Sequence, residues 1–153
     1  MSEAELREIM GCTCLRIRRT ARGLTQLYDR ALEKAGLTVN QFGLLAHLQG
    51  ANLMQPHGPS IGMIAEWLGM DPTTLNRNLK PLEKNGLVRS APDAADGRVR
   101  IVRITEKGER MLRDAIPLWR AAQAQVEKAL GVDLTAELNR LLDRSSAKLR
   151  ASA

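Results

Sequence analysis

The chain has 153 residues, enough for one domain with its own core, and its 44% hydrophobic and 26% charged content excludes wholesale disorder. Aromatics are limited to Tyr28, Phe42, Trp67 and Trp119, so the core must be built from Leu, Ile, Val, Ala and Met, which favours helices. The formal charge is +6; no basic region precedes an apolar core at the N-terminus and no apolar run approaches the ~20 residues that span a bilayer, so no membrane association is expected and a cytoplasmic location is.

Residues 5–34 read as one long helix, with Leu24, Leu27, Tyr28 and Ala31 at helical spacing and Gly36 as its stop. Cys12 and Cys14 are too few and too close for a disulfide framework, and on a helix their spacing sends the two thiols to nearly opposite sides. Thr38-Val39-Asn40-Gln41 matches a capping box and opens a second helix to about residue 48. Residues 50–59, which hold Asn52, Pro56, Gly58 and Pro59, read as a loop. A third helix covers residues 61–68 behind a Ser60 cap. Asp71 is the N-cap of a fourth, with Pro72 at the first helical position, where its missing N–H costs nothing. Asn85-Gly86 suits a left-handed turn at its end.

Residues 87–90 and 99–104 read as strands around a loop containing Pro92, Asp93, Asp96 and Gly97. Thr105 caps a fifth helix to about residue 130, in which Pro117 should produce a kink or a break. A last helix covers residues 134–149.

The positive charge is concentrated in one window. Between Pro72 and Arg103 there are seven bases (Arg77, Lys80, Lys84, Arg89, Arg98, Arg100, Arg103) against three acids (Glu83, Asp93, Asp96), so this stretch alone carries +4. Such a density releases counterions from a phosphate backbone and fits nucleic acid better than an acidic small substrate.

Just before the window, Ala65 and Gly69 have the spacing of a helix-turn-helix. A small residue lets the two helices cross closely, and a glycine four residues later takes the positive backbone angle of the turn. The fourth helix separates into two faces: Leu75, Leu79 and Leu82 point inward, and Thr73, Asn76, Arg77, Lys80 and Lys84 point outward. The outward set is an inventory for a major groove. Asn suits adenine, Arg suits guanine or phosphate, Thr packs on a thymine methyl and Lys suits phosphate. Arg98 tops a loop that can carry a guanidinium into a minor groove, and Asp96 is its structural partner. Thr74 and Arg100 complete the candidate DNA contacts.

These residues resemble the MarR (multiple antibiotic resistance regulator) family of transcription factors. The likeness runs through Gly36-Leu37-Thr38, Ile64-Ala65-Glu66-Trp67-Leu68-Gly69, Leu75 to Arg77, Leu82-Glu83-Lys84-Asn85-Gly86-Leu87-Val88, Asp96-Gly97-Arg98 and Ile104-Thr105-Glu106-Lys107-Gly108. Pro81, inside the recognition helix, departs from the simplest pattern. The resemblance implies a mainly α winged helix-turn-helix with a small antiparallel sheet of two or three strands and N- and C-terminal dimerisation helices. The whole chain, 1–153, is then a single domain, with residues 38–104 as the DNA-binding lobe and 5–35 and 105–150 as the helical dimerisation region. It also implies a homodimer on near-palindromic double-stranded DNA, acting as a repressor. Leu15, Ile17 and Ala21 at one end, and Leu134, Leu138, Leu141 and Leu142 at the other, supply apolar faces for such a dimer.

The resemblance further implies a small, often aromatic, acidic effector that releases DNA by shifting a two-state population. Arg16, Arg19, Tyr28, His47 and Trp119 are the candidate contacts, beside ordinary roles as surface charge, core and a satisfied histidine. Redox control through Cys12 and Cys14 is an alternative, with Arg16, Arg18 and Arg19 near enough to favour a thiolate. Small buried hydrophobes are the simpler role for both thiols. No cofactor or metal is expected, since histidines are two, no phosphate-cradling glycine loop is present and Cys-x-Cys is not a thioredoxin-type spacing. An enzyme is therefore not expected. A winged helix used only for protein contacts remains the other alternative, and the polar face of the fourth helix with Arg98 is what argues against it.

Overall fold

Ser2 opens helix α1, Glu3–Met10: its hydroxyl accepts the Glu5 N–H, and the Glu5 carboxylate takes the Ser2 N–H in return. The computed structural model describes residues 1–54 and 57–152, and its first departure from the sequence reading is here. Residues 5–34 are not one helix. α1 ends at Gly11, whose N–H bonds back to the Arg7 and Glu8 carbonyls, and the Cys12 carbonyl accepts the Arg16 N–H to open helix α2, Thr13–Leu32. A glycine in a helix interior costs roughly 1 kcal/mol relative to alanine, which makes Gly11 a natural place to divide the run. A single 3-10 turn, Glu33–Ala35, follows.

The capping box at Thr38 and Gln41 is present in both directions, at 3.2 and 3.0 Å, and starts helix α3, Val39–Met54. α3 runs well past the expected end. Leu48 and Ala51 are buried and carry its apolar face through Gly50 and Asn52, so the loop is shorter than the one read over 50–59. Pro56 lies outside the described residues. Helix α4, Ile61–Leu68, has the Ser60 cap and ends at Gly69, whose φ of 59° is a left-handed conformation that suits glycine. Helix α5, Pro72–Lys84, follows directly behind its Asp71 cap and continues through Pro81 without a break.

Strands β1, Val88–Pro92, and β2, Arg100–Ile104, pair antiparallel from Val88 opposite Ile104 to Pro92 opposite Arg100. Pro92 is therefore the last residue of a strand rather than part of the loop, a position where a missing N–H is tolerated. An isolated bridge joins Ser60 to Ile101, and the Val102 N–H donates to the Pro59 carbonyl at 3.0 Å. Leu44, Leu45, Leu48, Ile64, Leu75, Leu82 and Val102 are fully buried among these elements. Each such side chain contributes about 1.5–3 kcal/mol by leaving water.

Helix α6, Glu106–Leu130, starts where Thr105 caps the Gly108 N–H at 3.1 Å. It runs unbroken through Pro117, so of the kink or break expected there the break does not occur. Helix α7, Val132–Arg150, begins after Gly131, two residues earlier than the sequence reading. The chain divides into two compact units: Met1–Tyr28 with the chain from Trp119 onward, and Asp29–Leu118. In the first, Ala122 and Val126 are buried, while Leu15, Ile17, Leu134, Leu141, Leu142 and Leu149 are exposed. Among the described residues no helix is long and apolar enough to cross a membrane.

Candidate nucleic-acid interface

Asp71 fixes the start of α5 with both carboxylate oxygens. One accepts the Thr74 N–H at 2.9 Å and the other the Thr74 hydroxyl at 2.6 Å. These two bonds hold the exposed Asp71 carboxyl below its ordinary value. Thr74 is half-buried and its hydroxyl proton is committed to this cap, so it supports the helix start rather than presenting a free donor outward. Beyond the cap the two faces separate as the periodicity predicts. Leu75, Leu79 and Leu82 are buried, and Thr73, Asn76, Arg77, Lys80 and Lys84 are all exposed. Asn78, which the sequence reading passed over, bonds back to the Thr74 carbonyl at 2.9 Å.

The wing loop is shaped by two aspartates. The Asp96 carboxylate accepts the Arg98 N–H at 3.0 Å, which agrees with a structural role beside that arginine. Asp93, a loop residue by sequence, accepts the N–H groups of Ala95 at 2.7 Å and Asp96 at 3.1 Å. Those bonds hold its carboxyl below the ordinary value, with His57 adding a smaller contribution. An aspartate that bonds the N–H two residues on is an Asx turn, and Pro-Asp at the end of a strand was the signal available for it. Arg98 is exposed at the loop's far end. Arg100 is exposed too, but its Nη2 donates to the Ser90 hydroxyl at 2.6 Å, and that hydroxyl donates to the Glu83 carboxylate.

The far end of α5 is tied to the start of α6. Lys107 Nζ donates to the Asn85 carbonyl at 2.8 Å and the Thr105 hydroxyl to the Gly86 carbonyl at 2.7 Å. Gly108 packs so closely there that a Cβ would lie 2.1 Å from the Leu87 carbonyl oxygen.

The candidate effector residues fall in both units. Arg16 and Arg19 are exposed on α2. Tyr28 is half-buried, its hydroxyl donates to Gln123 Oε1, and burial followed by the Glu127 charge raises its pKa. Trp119 is half-buried on α6. His47 belongs to the other unit, where its Nδ1 meets the Gly43 carbonyl at 2.7 Å and it lines an open groove with Ala46, Gly50, Ala51, Met54 and Trp67. Cys12 and Cys14 are both exposed in this chain, which corrects their reading as small buried hydrophobes. Cys12 stands between α1 and α2, not inside a helix, so helical geometry no longer separates the two thiols.

Comparison with known proteins gives consistent results. The sequence model of the MarR family matches residues 35–99. Over 93 residues, 61% of this chain, there is 31% identity to the transcriptional activatory protein BadR of Rhodopseudomonas palustris; the match takes in 52% of BadR, so the chain spans about half the length of that relative. The transcriptional regulator MosR of M. tuberculosis, solved in complex with DNA, is 35% identical with a TM-score of 0.79, covering 92% of this chain and 98% of that one. CouR of Rhodococcus jostii RHA1, solved bound to p-coumaroyl-CoA, shares the fold with a TM-score of 0.69 at 22% identity, over 90% of this chain and 93% of that one.

Proposed function

This chain belongs to the MarR family of transcription regulators, and from that premise we propose that it acts in the cytoplasm as a homodimeric repressor on a near-palindromic promoter site. The observation that carries the reading is the exposed row Thr73, Asn76, Arg77, Lys80 and Lys84 on α5, backed by a buried leucine face and accompanied by the exposed Arg98. Thr73, Asn76 and Arg77, nearest the helix start, read bases in the major groove; Lys80 and Lys84 take phosphates; Arg98 enters the minor groove. Residues 38–104 form the DNA-binding lobe, while 5–35 and 105–150 pair with a second copy through the apolar side chains exposed on α2 and α7. That MosR is solved on DNA supports the reading.

Release follows when an effector, a small aromatic acid, binds the state with lower DNA affinity. CouR carries p-coumaroyl-CoA on the same fold, which supports a small-molecule signal. Arg16, Arg19, Tyr28 and Trp119 in one unit and, separately, His47 in the other are its candidate contacts. Gel shifts with the intergenic DNA flanking the gene test the core of the proposal: a salt-sensitive, sequence-preferring complex is expected, and uniform binding to unrelated duplexes would overturn it.

Two observations favour further readings. BadR is named an activator, so the same DNA contacts can serve activation, and a promoter-reporter assay with and without the regulator separates the two. The exposure of Cys12 and Cys14 favours redox control. A peroxide would oxidise one thiol to a sulfenic acid with release of water, and a second thiol would condense with it to a disulfide with release of another. Peroxide should then change DNA binding in the wild type but not in a Cys12→Ser/Cys14→Ser variant.

A further inference from the structure

Glu83 is the one acid on α5, and it stands on the same face as Asn76 and Lys80, seven and three residues before it. A carboxylate on a helix face that meets phosphates is repelled by them, so its charge should have another use. The structure supplies one. The Ser90 hydroxyl on β1 donates to Glu83 Oε1 and accepts from Arg100 Nη2 on β2 at 2.6 Å. A hydroxyl has one proton and two lone pairs, so this single group satisfies both neighbours at once. Ser90 pairs with Val102 in the ladder, and Arg100 lies diagonally from it on the face that buries Val88, Val102 and Ile104.

We propose that Glu83, Ser90 and Arg100 form a positioning relay that sets the wing against the recognition helix, and that Arg100 acts on DNA binding through Ser90 rather than by touching DNA. The relay joins α5 to both strands, and Arg100 is two residues from Arg98. Its geometry therefore fixes where the minor-groove arginine stands when α5 enters the major groove. Charge-assisted bonds at both ends make the links stronger than neutral ones. The proposal rests on the DNA-binding reading above.

The test is a set of fluorescence anisotropy titrations on the operator duplex over a range of salt. Ser90→Ala, which removes both charge-assisted hydrogen bonds of the relay, should weaken binding about tenfold. Ser90→Thr, which keeps the hydroxyl, should restore most of it. In an Arg98→Ala background the Ser90→Ala loss should shrink to about twofold, because the relay has no wing arginine left to place. Arg100→Ala should weaken binding with the salt dependence of the wild type. A slope smaller by about one would identify Arg100 as a direct phosphate contact and overturn the relay. Full additivity of Ser90→Ala with Arg98→Ala, or wild-type affinity for Ser90→Ala, would overturn it as well. If the wild type itself fails to bind specific DNA, the regulatory reading has failed instead. The relay is then judged by hydrogen exchange of the free protein: faster exchange over residues 94–100 in Ser90→Ala supports it, and an unchanged wing removes it.

Discussion

Asp71 and Asp93 spend their carboxylates on backbone N–H groups beside the cations proposed to meet DNA. Both carboxyls are held below their ordinary value in the folded chain. A depressed folded-state pKa means that the contribution is fully present above the unfolded value and is lost as pH falls through the lower folded one. The amides of Ala95 and Asp96 should therefore lose protection, measured against their intrinsic exchange rates, as pH falls, and Asp93→Ala should lack that protection already at neutral pH; a wing equally protected in Asp93→Ala would refute this role. Arg98→Ala should weaken operator binding about 10- to 100-fold, as loss of one groove arginine does, and unchanged affinity would remove the minor-groove assignment. Residue roles were only partly legible in the sequence. The outward row of α5 and the Asp96 partnership follow from spacing. Spacing does not show that the Thr74 hydroxyl is bonded to Asp71, nor that Asp93 makes an Asx turn, which depends on where the backbone N–H groups come to lie.

At the scale of elements, caps located most boundaries: Ser60, Asp71, Thr38 with Gln41, and Thr105 each open the helix assigned to them. A glycine or proline is read less well without its surroundings. Gly11 divides a run that apolar periodicity joins, whereas Gly50 does not stop α3, because Leu48 and Ala51 are buried on either side of it. Pro81 and Pro117 both sit inside continuous helices. The contact between α6 and the turn after α5 was not legible at all, since it requires knowing that Gly108 meets the Leu87 carbonyl. Gly108→Ala should cost about 1–3 kcal/mol of stability through overpacking. That loss should appear as a melting temperature lower by several degrees; a variant as stable as the wild type would show that α6 does not need this close approach.

At the scale of the whole molecule, the chain presents two kinds of surface: a basic one on α5 and the wing, and an apolar one on α2 and α7. The apolar surface predicts self-association. Leu141→Glu with Leu142→Glu should convert a dimer to a monomer in light scattering, and should weaken binding to a two-half-site duplex far more than to a single half-site. A wild-type monomer would refute the dimer. The basic surface carries the central claim, that α5 reads bases. The most direct measurement is a competition titration of wild type and Asn76→Ala/Arg77→Ala against operator duplex and scrambled duplex of equal length and salt. If α5 reads bases, the wild type should prefer the operator by at least about a thousandfold, and the double variant should lose most of that preference while keeping its nonspecific affinity. Equal preference in both proteins would contradict it.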